Sequence, residues 1–352
     1  MSLDPTQPRR DAPPDRVLVT GGAGFIGSHL VDALLARWPH TRITVVDDLS
    51  TGSMANLSDA LRAAPDRVRL IESDLIEALP GLDGEEPFDR LYHLAAAVGV
   101  QRVVDDPIGC IETNVEATAA LLRYAVAQGG PPVLLASSSE VYGKSPASPF
   151  REDDDCVYGP TTAPRWSYAT SKAIDEYLAL AHHRTSRLPV VIVRFFNTVG
   201  PRQVGDYGMV LPRFIQAAME NRSLTVFGDG SQTRCFCDVR DIVPAVIDLL
   251  EAGADLQSPA CGQVFNLGAD RPISIDELAR LVIAQLGSSS PLEHVPFARA
   301  MGTGFEDLTQ RRPDLQRVRA AIGFEPRISL KQTVQDIADS LRLKPASGGV
   351  GA

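Results

Sequence analysis

The stretch Val17-Leu-Val-Thr-Gly21-Gly-Ala-Gly24-Phe-Ile-Gly27 places three glycines at G-x-x-G-x-x-G spacing between an apolar strand and a helix. Glycines in this context allow a tight turn, a close approach of the backbone to a pyrophosphate, and close packing of the helix on the sheet. The amino end of the helix then faces the phosphates, where the helix dipole favours an anion. The stretch therefore predicts the first βαβ unit of a dinucleotide-binding fold. The residues expected to contact the dinucleotide here are Gly21, Gly24, Phe25, Ile26 and Gly27.

A carboxylate stands at the end of the second predicted strand. Asp47 lies 20 residues after Gly27, at the position where an acidic side chain binds the adenosine ribose hydroxyls. Because this carboxylate would repel a 2′-phosphate, the sequence favours NAD over NADP. Asp74 and Leu75 follow the third predicted strand and are expected to contact the adenine.

Apolar, β-rich runs alternate with helical segments through the first half of the chain. Near-continuous apolar runs are typical of strands covered on both faces, and alternating strands and helices imply a parallel sheet with right-handed crossovers. We therefore predict an α/β protein with a doubly wound, Rossmann-like parallel sheet. The predicted strands are Arg16–Thr20, Ile43–Asp47, Val68–Ser73, Arg90–Ala95, Val133–Ser137 and Val190–Phe195.

After Asn197 the regular alternation lapses, and short elements are separated by longer loops. We expect a smaller C-terminal α/β lobe that binds the substrate, with exchange of a strand or helix between the two lobes allowed. The predicted organisation is a disordered N-terminus at 1–15, an NAD-binding domain at 16–197, a substrate lobe at 198–341 and a disordered tail at 342–352.

The composition is that of an ordinary soluble globular protein, with 44% hydrophobic and 22% charged residues. The formal net charge of −10 argues against a nucleic-acid partner, which favours a basic face. No apolar run approaches membrane-spanning length, and the N-terminus lacks the apolar segment of a signal peptide. Five cysteines without a C-x-x-C pair are expected to be reduced thiols in a cytoplasmic protein that has no metal site.

Tyr168 and Lys172 are four residues apart and would share one face of a helix. An ammonium beside a phenol lowers the pKa of the phenol, so Tyr168 is expected to act as the base that removes a proton from an alcohol. Ser138, at the carboxyl end of the fifth predicted strand, is placed to hydrogen-bond the same substrate oxygen. Asn114 is expected to orient a water or the Lys172 side chain.

Together these segments resemble the extended short-chain dehydrogenase/reductase family, which contains nucleotide-sugar epimerases, dehydratases and decarboxylases. The resemblance extends from Arg16 to about Leu341. It rests on Gly21–Gly27, His93-Leu-Ala-Ala96, Asn114, Ser137–Gly143, Tyr168–Lys172, Arg194–Pro201 and Thr225–Arg234.

The resemblance has four implications. The cofactor would be tightly bound NAD, and the substrate would be a nucleotide-sugar that is oxidised at C4. A homodimer would form through the helices that contain Asn114–Gln128 and Tyr168–His183. Further residues would contact the cofactor, namely Ala95, Asn114, Tyr168 and Lys172.

The residues after Ser138 help to choose among the reactions of this family. Its 4,6-dehydratases carry Asp-Glu there and its 4-epimerases usually carry small or apolar residues, whereas this chain has Ser139-Glu140. Ser-Glu at this point resembles the UDP-glucuronate decarboxylases. The segments Pro164–Lys172 and Gly304–Asp314 also resemble the bacterial decarboxylase domain. In that family the arginine that corresponds to Arg311 assists decarboxylation near the substrate carboxylate.

The predicted reaction is therefore oxidation of UDP-glucuronate at C4 and loss of CO2, which gives UDP-xylose or a UDP-4-keto-pentose. A ketone at C4 is β to the C6 carboxylate, and such an acid loses CO2 readily once the carboxylate is turned out of the ring plane. The predicted catalytic residues are Ser138, Ser139, Glu140, Tyr168, Lys172 and Arg311. The predicted substrate contacts are Arg234 for the pyrophosphate, Asn197 for polar anchoring, Leu211 and Phe227 for the uracil, and Arg311.

Two alternatives stay open. The segment Ala97–Pro107 lacks the Pro/Tyr-containing sequence of many decarboxylases and resembles the loop of several sugar-nucleotide epimerases. A UDP-glucuronate or UDP-hexose 4-epimerase is therefore the second hypothesis. The third is a non-catalytic NAD-binding protein, which predicts loss of Tyr168, Lys172 or the arginines of the second lobe, and the sequence retains all of these.

Overall fold

The apolar run that precedes the glycines forms an inner strand of a large sheet. The computed structural model describes residues 13–97, 106–205, 209–296, 299 and 308–343, and in it β1 (Arg16–Thr20) is buried along its whole length. The strands beside it are β2 (Arg42–Asp47), β3 (Val68–Glu72), β4 (Arg90–His93), β5 (Val133–Ser138), β6 (Val190–Phe195) and β11 (Gln263–Leu267). Their order is β11-β6-β5-β4-β1-β2-β3. Every pairing in this sheet is parallel.

Helices cover both faces of the sheet because successive side chains of each strand point in opposite directions. Val17 and Val19 pack into one hydrophobic core, and Leu18 packs into another on the opposite face. The helices of the first core are α1 (Phe25–Arg37), α2 (Met54–Ala63) and α7 (Val239–Ala252). Those of the second are α3 (Leu75–Leu82), α4 (Pro107–Ala127) and α5 (Trp166–Ser186). The predicted doubly wound, Rossmann-like α/β fold is confirmed.

A third hydrophobic core lies outside this sheet and forms the smaller lobe. Its helices are α6 (Val210–Met219), α8 (Ile275–Leu286) and α10 (Leu330–Leu343), which pack on the parallel pair β8 (Leu224–Phe227) and β13 (Leu292–Val295). A separate small sheet of order β12-β9-β14 contains β12 (Pro272–Ser274), β9 (Thr233–Cys235) and β14 (Gln310–Arg311). The structure also contains β7 (Thr198–Val199), β10 (Cys237–Asp238) and α9 (Gln316–Ile322).

The two halves of the chain exchange elements. β11 pairs with β6 in the main sheet, and α7 packs against α1, although both β11 and α7 follow Asn197 in the sequence. One strand and one covering helix of the first lobe therefore come from the second half of the chain. The division into an NAD-binding part and a substrate-binding part stays a prediction.

Most of the two predicted disordered ends, residues 1–12 and 344–352, lies outside the described residues. The inner residues of these segments belong to the fold. The Asp15 N–H donates to Asp89 Oδ2 at 2.8 Å, and α10 continues to Leu343. The folded part thus begins before residue 16 and extends past residue 341.

Candidate active site

A cleft runs along the carboxyl ends of the parallel strands. Asp47 at the end of β2, Ser138 at the end of β5 and Phe195 at the end of β6 all line it. Parallel sheets of this kind bind ligands at this edge, because the loops that follow the strands diverge there. Tyr168 and Lys172 of α5 line the same cleft.

The glycine loop forms one end of the cleft. Gly21 has a φ of +71°, and a Cβ there would lie 2.6 Å from the backbone nitrogen of Ala95. A Cβ on Gly27 would overlap the carbonyl oxygen of Gly21. The N-cap of α1, Gly24, has no side-chain hydrogen bond, and the first turn contains no acidic residue. The amino end of α1 is therefore open to an anion. Gly21, Gly24, Phe25, Ile26, Gly27 and Ala95 all line the cleft, as predicted for the nucleotide side.

Asp47 is buried at the end of β2 and organises the loops around the nucleotide end of the cleft. Its Oδ2 accepts from the N–H of Ala23 at 2.9 Å, and its Oδ1 accepts from the N–H of Leu49 at 2.9 Å. Burial raises the pKa of Asp47 above its usual range, and these backbone donors oppose the shift. Asp74 and Leu75 also line this end, and Asp74 caps α3 by accepting from Ile76 N–H at 2.7 Å.

Tyr168 is partly buried in the first turns of α5 and shares the cleft with Ser138. The Oγ of Ser138 accepts from the N–H of Glu140 at 3.2 Å, and the Ser138 hydroxyl also hydrogen-bonds with the phenol of Tyr168. Burial raises the pKa of Tyr168 above its ordinary value. The Ser138 hydroxyl opposes this shift, while the charge of Glu140 adds to it. The expectation that the Tyr168 pKa is lowered is therefore wrong for the ligand-free protein.

The ion pair between Lys172 and Asp175 is one reason why the pKa of Tyr168 is not lowered. Its ammonium donates to Asp175 Oδ2 at 3.1 Å, and both side chains are almost fully buried. The Lys172 ammonium, which was expected to lower the pKa of Tyr168, is thus already paired with a carboxylate. Asp175 was not predicted, although its position three residues after Lys172 places it on the same helical face.

Glu140 is held between two arginines at the other end of the cleft. Arg311 Nη1 donates to Glu140 Oε1, and Arg165 Nη2 lies 3.9 Å from Glu140 Oε2. Burial alone would raise the pKa of Glu140, but Arg311 and Arg165 lower it below its ordinary value. Glu140 is therefore ionised. All three side chains line the cleft together with the buried Ser139.

Arg311 reaches this position because β14 pairs with β9 in register with Arg234. The Nη1 of Arg234 donates to the carbonyl oxygens of Thr233 and Leu308 at 2.8 and 2.9 Å, which ties β14 to β9. The Nε of Arg311 is buried and has no hydrogen-bond partner within the described part of the chain. The Arg311 side chain lines the cleft, so its guanidinium group is placed to bind an anionic ligand.

Four other predicted site residues lie elsewhere. Leu211 packs inside the core of the smaller lobe, and the ring of Phe227 lies under the guanidinium of Arg213 at 4.9 Å. Asn114 accepts from Ala97 N–H at 2.8 Å and donates to Ser171 Oγ at 3.1 Å, so it joins α4 and α5 below the cleft wall. These three residues and Arg234 are not in the described lining. Asn197 does line the cleft, and its Nδ2 donates to Cys235 O at 3.1 Å.

Several lining residues were missed. Arg165 lay inside a quoted motif, and its place just before α5 was the signal that could have identified it. Most of the others are polar or small and carry no sequence signal of their own. Among them are Asp48, Ser50, Thr51, Ser73 and Gln203 outside the regular elements, Thr113 and Ala117 on α4, Thr198 in β7, and the larger Met209 just before α6.

Two features are absent from the described ranges, which omit 98–105 and 300–307 among others. No helix there is long and apolar enough to cross a membrane, and no three His, Cys, Asp or Glu side chains form a metal-binding group. Most of the predicted epimerase-like loop Ala97–Pro107 and the start of the Gly304–Asp314 segment also lie outside the described residues.

Comparison with known proteins agrees with this geometry. The model of the NAD dependent epimerase/dehydratase family matches residues 17–268. The chain is 39% identical over 325 residues to a UDP-N-acetyl-alpha-D-glucosaminuronate decarboxylase of Bacillus cytotoxicus, covering 91% of this chain and 97% of that relative. It is 34% identical over 330 residues to UDP-glucuronic acid decarboxylase 1 of Arabidopsis thaliana, covering 93% of this chain and 70% of that protein.

A solved structure is similar over nearly the whole chain. The UDP-glucuronic acid 4-epimerase from Bacillus cereus, in complex with UDP-glucuronic acid and NAD, superposes with a TM-score of 0.80 at 26% identity. The superposition covers 93% of this chain and 99% of the epimerase.

Proposed function

Because the chain belongs to the NAD dependent epimerase/dehydratase family, we propose that it is an NAD-dependent carboxy-lyase acting on a UDP-linked uronic acid. The substrate class is UDP-glucuronate or UDP-N-acetylglucosaminuronate, since decarboxylases of both are relatives at 34% and 39% identity. The observation that carries the proposal is the ionised Glu140, held by Arg311 and Arg165 in the cleft that also contains Tyr168.

The nucleotide end of the cleft fits NAD. A side chain at Gly21 or Gly27 would collide with the neighbouring backbone of the glycine loop and of Ala95, so both positions need glycine. The amino end of α1 offers uncapped N–H groups to a pyrophosphate. Asp47 lies where the adenosine ribose hydroxyls would bind. When bound, NAD supplies the group that accepts hydride from C4 of the sugar and can return it.

Tyr168 and Ser138 act on the C4 oxygen of the sugar. Tyr168 removes the proton of the C4 hydroxyl as the alcohol becomes a ketone. Ser138, whose oxygen already accepts from Glu140 N–H, donates its own proton in a hydrogen bond to the same C4 oxygen. The two side chains thus hold the C4 oxygen from two directions.

Arg311 and Glu140 act on the C6 carboxylate. The guanidinium of Arg311 binds this carboxylate, while the negative charge of Glu140 repels it. Opposed forces of this kind favour an orientation out of the ring plane, in which the C5–C6 bond overlaps the C4 carbonyl. Arg165 keeps Glu140 ionised and in place.

Cleavage of the C5–C6 bond releases CO2 and moves its electron pair into a C4–C5 enolate. Protonated Tyr168 and Ser138 donate hydrogen bonds to the enolate oxygen and stabilise its charge. A proton from an exchangeable donor then adds to C5, which restores the C4 ketone. Reduction at C4 gives a UDP-pentose, whereas early release gives a UDP-4-keto-pentose.

Mass spectrometry of the nucleotide product tests this proposal. The purified protein is incubated with NAD and either UDP-glucuronate or UDP-N-acetylglucosaminuronate. We expect one of the two to lose CO2 and form a UDP-linked pentose or 4-keto-pentose. Conversion of UDP-glucuronate to UDP-galacturonate, which NMR distinguishes although the two have the same mass, would contradict the proposal and support a 4-epimerase.

The proposal includes a homodimer formed by α4 and α5. These helices pack against each other, and each carries exposed apolar side chains one turn apart. They are Ile108 and Ile111 on α4, and Ile174 and Tyr177 on α5. A cytoplasmic location is also proposed, because none of the five cysteines, all of which lie in the described residues, forms a disulfide bond, which suits a reducing compartment.

A further inference from the structure

Asp175 is a buried carboxylate about two helical turns beyond the proposed base, Tyr168, on α5. It has no exposed surface, and Lys172, its partner at 3.1 Å, is only 2% exposed. The second oxygen of Asp175, Oδ1, has no hydrogen-bond partner among the described residues. Burying a carboxylate in this way is costly unless an opposite charge compensates it. The Lys172 ammonium is the charge that does so.

The other groups around this pair do not replace either partner. Glu176, the next residue on α5, is engaged by Arg194, whose Nε and Nη2 donate to it at 2.9 and 2.7 Å. On α4, the hydroxyl of Thr118 lies close to the Asp175 carboxylate and favours its ionised form. On β4, His93 is held by Thr118 and by Thr20 of β1, at 3.0 and 2.7 Å.

His93 adds no charge to this region. Burial and, to a smaller extent, the charge of Lys172 together lower the pKa of His93 to about 3, so the imidazole is neutral near pH 7. Burial and the charges of Glu140 and Asp175 oppose the ionisation of Tyr168, whereas the Ser138 hydroxyl favours it. Lys172 and Asp175 therefore form a buried charged pair one to two turns after Tyr168 on α5.

The chemistry of such a pair differs from that of a lone lysine. An isolated ammonium beside a phenol favours the phenolate, whereas an ammonium already neutralised by a carboxylate favours it much less. We propose that Asp175 is a positioning residue that fixes the Lys172 ammonium and offsets its charge, so that the proton stays on Tyr168 until the cofactor is bound. The oxidised nicotinamide of NAD is a cation, and its charge in the cleft would restore the balance that releases the proton.

The proposal rests on the assigned roles of Tyr168 and Lys172, but its test needs no turnover. Tyrosinate formation is followed by ultraviolet difference absorbance during a pH titration of the NAD-free enzyme, with Tyr168→Phe subtracted. In the wild type we expect Tyr168 to titrate no lower than about pH 10, the value for free tyrosine. Titration of Tyr168 near neutral pH in the NAD-free wild type would overturn the proposal.

The variant Asp175→Asn keeps the shape of the side chain and removes its charge. The tyrosinate titration of Tyr168 should then shift about 1 to 3 pH units lower, because a negative charge that opposes its ionisation is removed. The acid limb of the kcat/KM profile should move in the same direction. The variant Asp175→Glu retains the charge and should titrate close to the wild type.

Besides titration of Tyr168 near neutral pH in the wild type, two further outcomes would contradict the proposal. They are an unchanged titration in folded Asp175→Asn, and equal shifts in Asp175→Asn and Asp175→Glu, which would indicate a packing effect. Thermal unfolding shows whether each variant is folded, and the wild-type titration decides the matter if Asp175→Asn is not. Absence of CO2 release would reject the carboxy-lyase but leave all of these titrations interpretable.

Discussion

Glu140 and Arg311 are 171 positions apart in the sequence and form an ion pair in the cleft. Glu140 follows β5 of the main sheet, and Arg311 belongs to β14 of the small sheet. The pair therefore depends on how the two lobes meet. A carboxylate fixed beside an arginine that lines the cleft supplies both repulsion and attraction for a second carboxylate, which is what decarboxylation of a uronic acid needs.

The variant Arg311→Gln should lower kcat for CO2 release by at least about 100-fold, because the substrate carboxylate loses its anchor and the reacting bond is misplaced. Product formation from the UDP-uronate measures this. The matched control is Arg312→Gln, since Arg312 is adjacent in sequence but exposed. Equal losses of activity in both variants would show that Arg311 has no specific role in the reaction.

The variant Tyr168→Phe should lower kcat by about 10²- to 10⁴-fold, the usual contribution of a positioned general base. Binding of NAD and of the UDP-sugar should stay close to wild type, because the ring is retained and only the hydroxyl is removed. Calorimetric titration checks binding and product assays check turnover. Turnover within a few-fold of the wild type would mean that another group takes the proton.

At the scale of single residues, the sequence predicts the positions of those side chains that a local motif determines. Tyr168, Lys172 and Ser138 follow from helical spacing and from the end of a strand, and all three line the cleft. Leu211 and Phe227 were assigned to the uracil from their apolar character alone. Apolar side chains pack in cores as readily as they line pockets, so this signal could not place them.

At the scale of elements, the turn from β1 into α1 is determined by two glycines. The positive φ of Gly21 and the contact between Gly27 and the loop allow α1 to begin directly above the sheet edge. The strand ends of the first half were predicted within about two residues, because a buried parallel strand has a near-continuous apolar run. The pairing of β11 with β6 was not predictable, because the sequence of a strand does not identify a partner strand that is distant along the chain.

The variant Gly27→Ala should weaken NAD binding and lower the free energy of unfolding by about 1 to 3 kcal/mol, because the added Cβ would lie 2.7 Å from Gly22 Cα. Calorimetric titration and thermal unfolding measure the two effects. As a control, Gly81→Ala adds a methyl group at an exposed position of α3, where no other atom lies within 4 Å. It should leave NAD binding unchanged and stability equal or slightly higher. Normal NAD affinity in Gly27→Ala would contradict the assignment of this loop.

At the scale of the whole molecule, the exposed apolar residues of α4 and α5 suggest where a second copy binds. Ile111→Asp together with Tyr177→Asp should convert a dimer to a monomer, because two charges would be buried in an apolar contact. Light scattering after size exclusion measures the mass. Met54→Asp on α2, which is 43% exposed, is the control and should leave the dimer intact. A monomeric wild type, or a double variant that remains dimeric, would contradict this surface.

The molecule as a whole brings Tyr168, Ser138 and Arg311 into one cleft, and the fate of the C5–C6 bond tests their proposed roles most directly. The enzyme is incubated with the UDP-uronate in D2O, and the product is analysed by NMR and mass spectrometry. We predict a product that has lost C6 and carries one deuterium on C5, because the enolate takes its new proton from an exchangeable donor. A product that retains its carboxylate and has no deuterium on C5 would contradict the account.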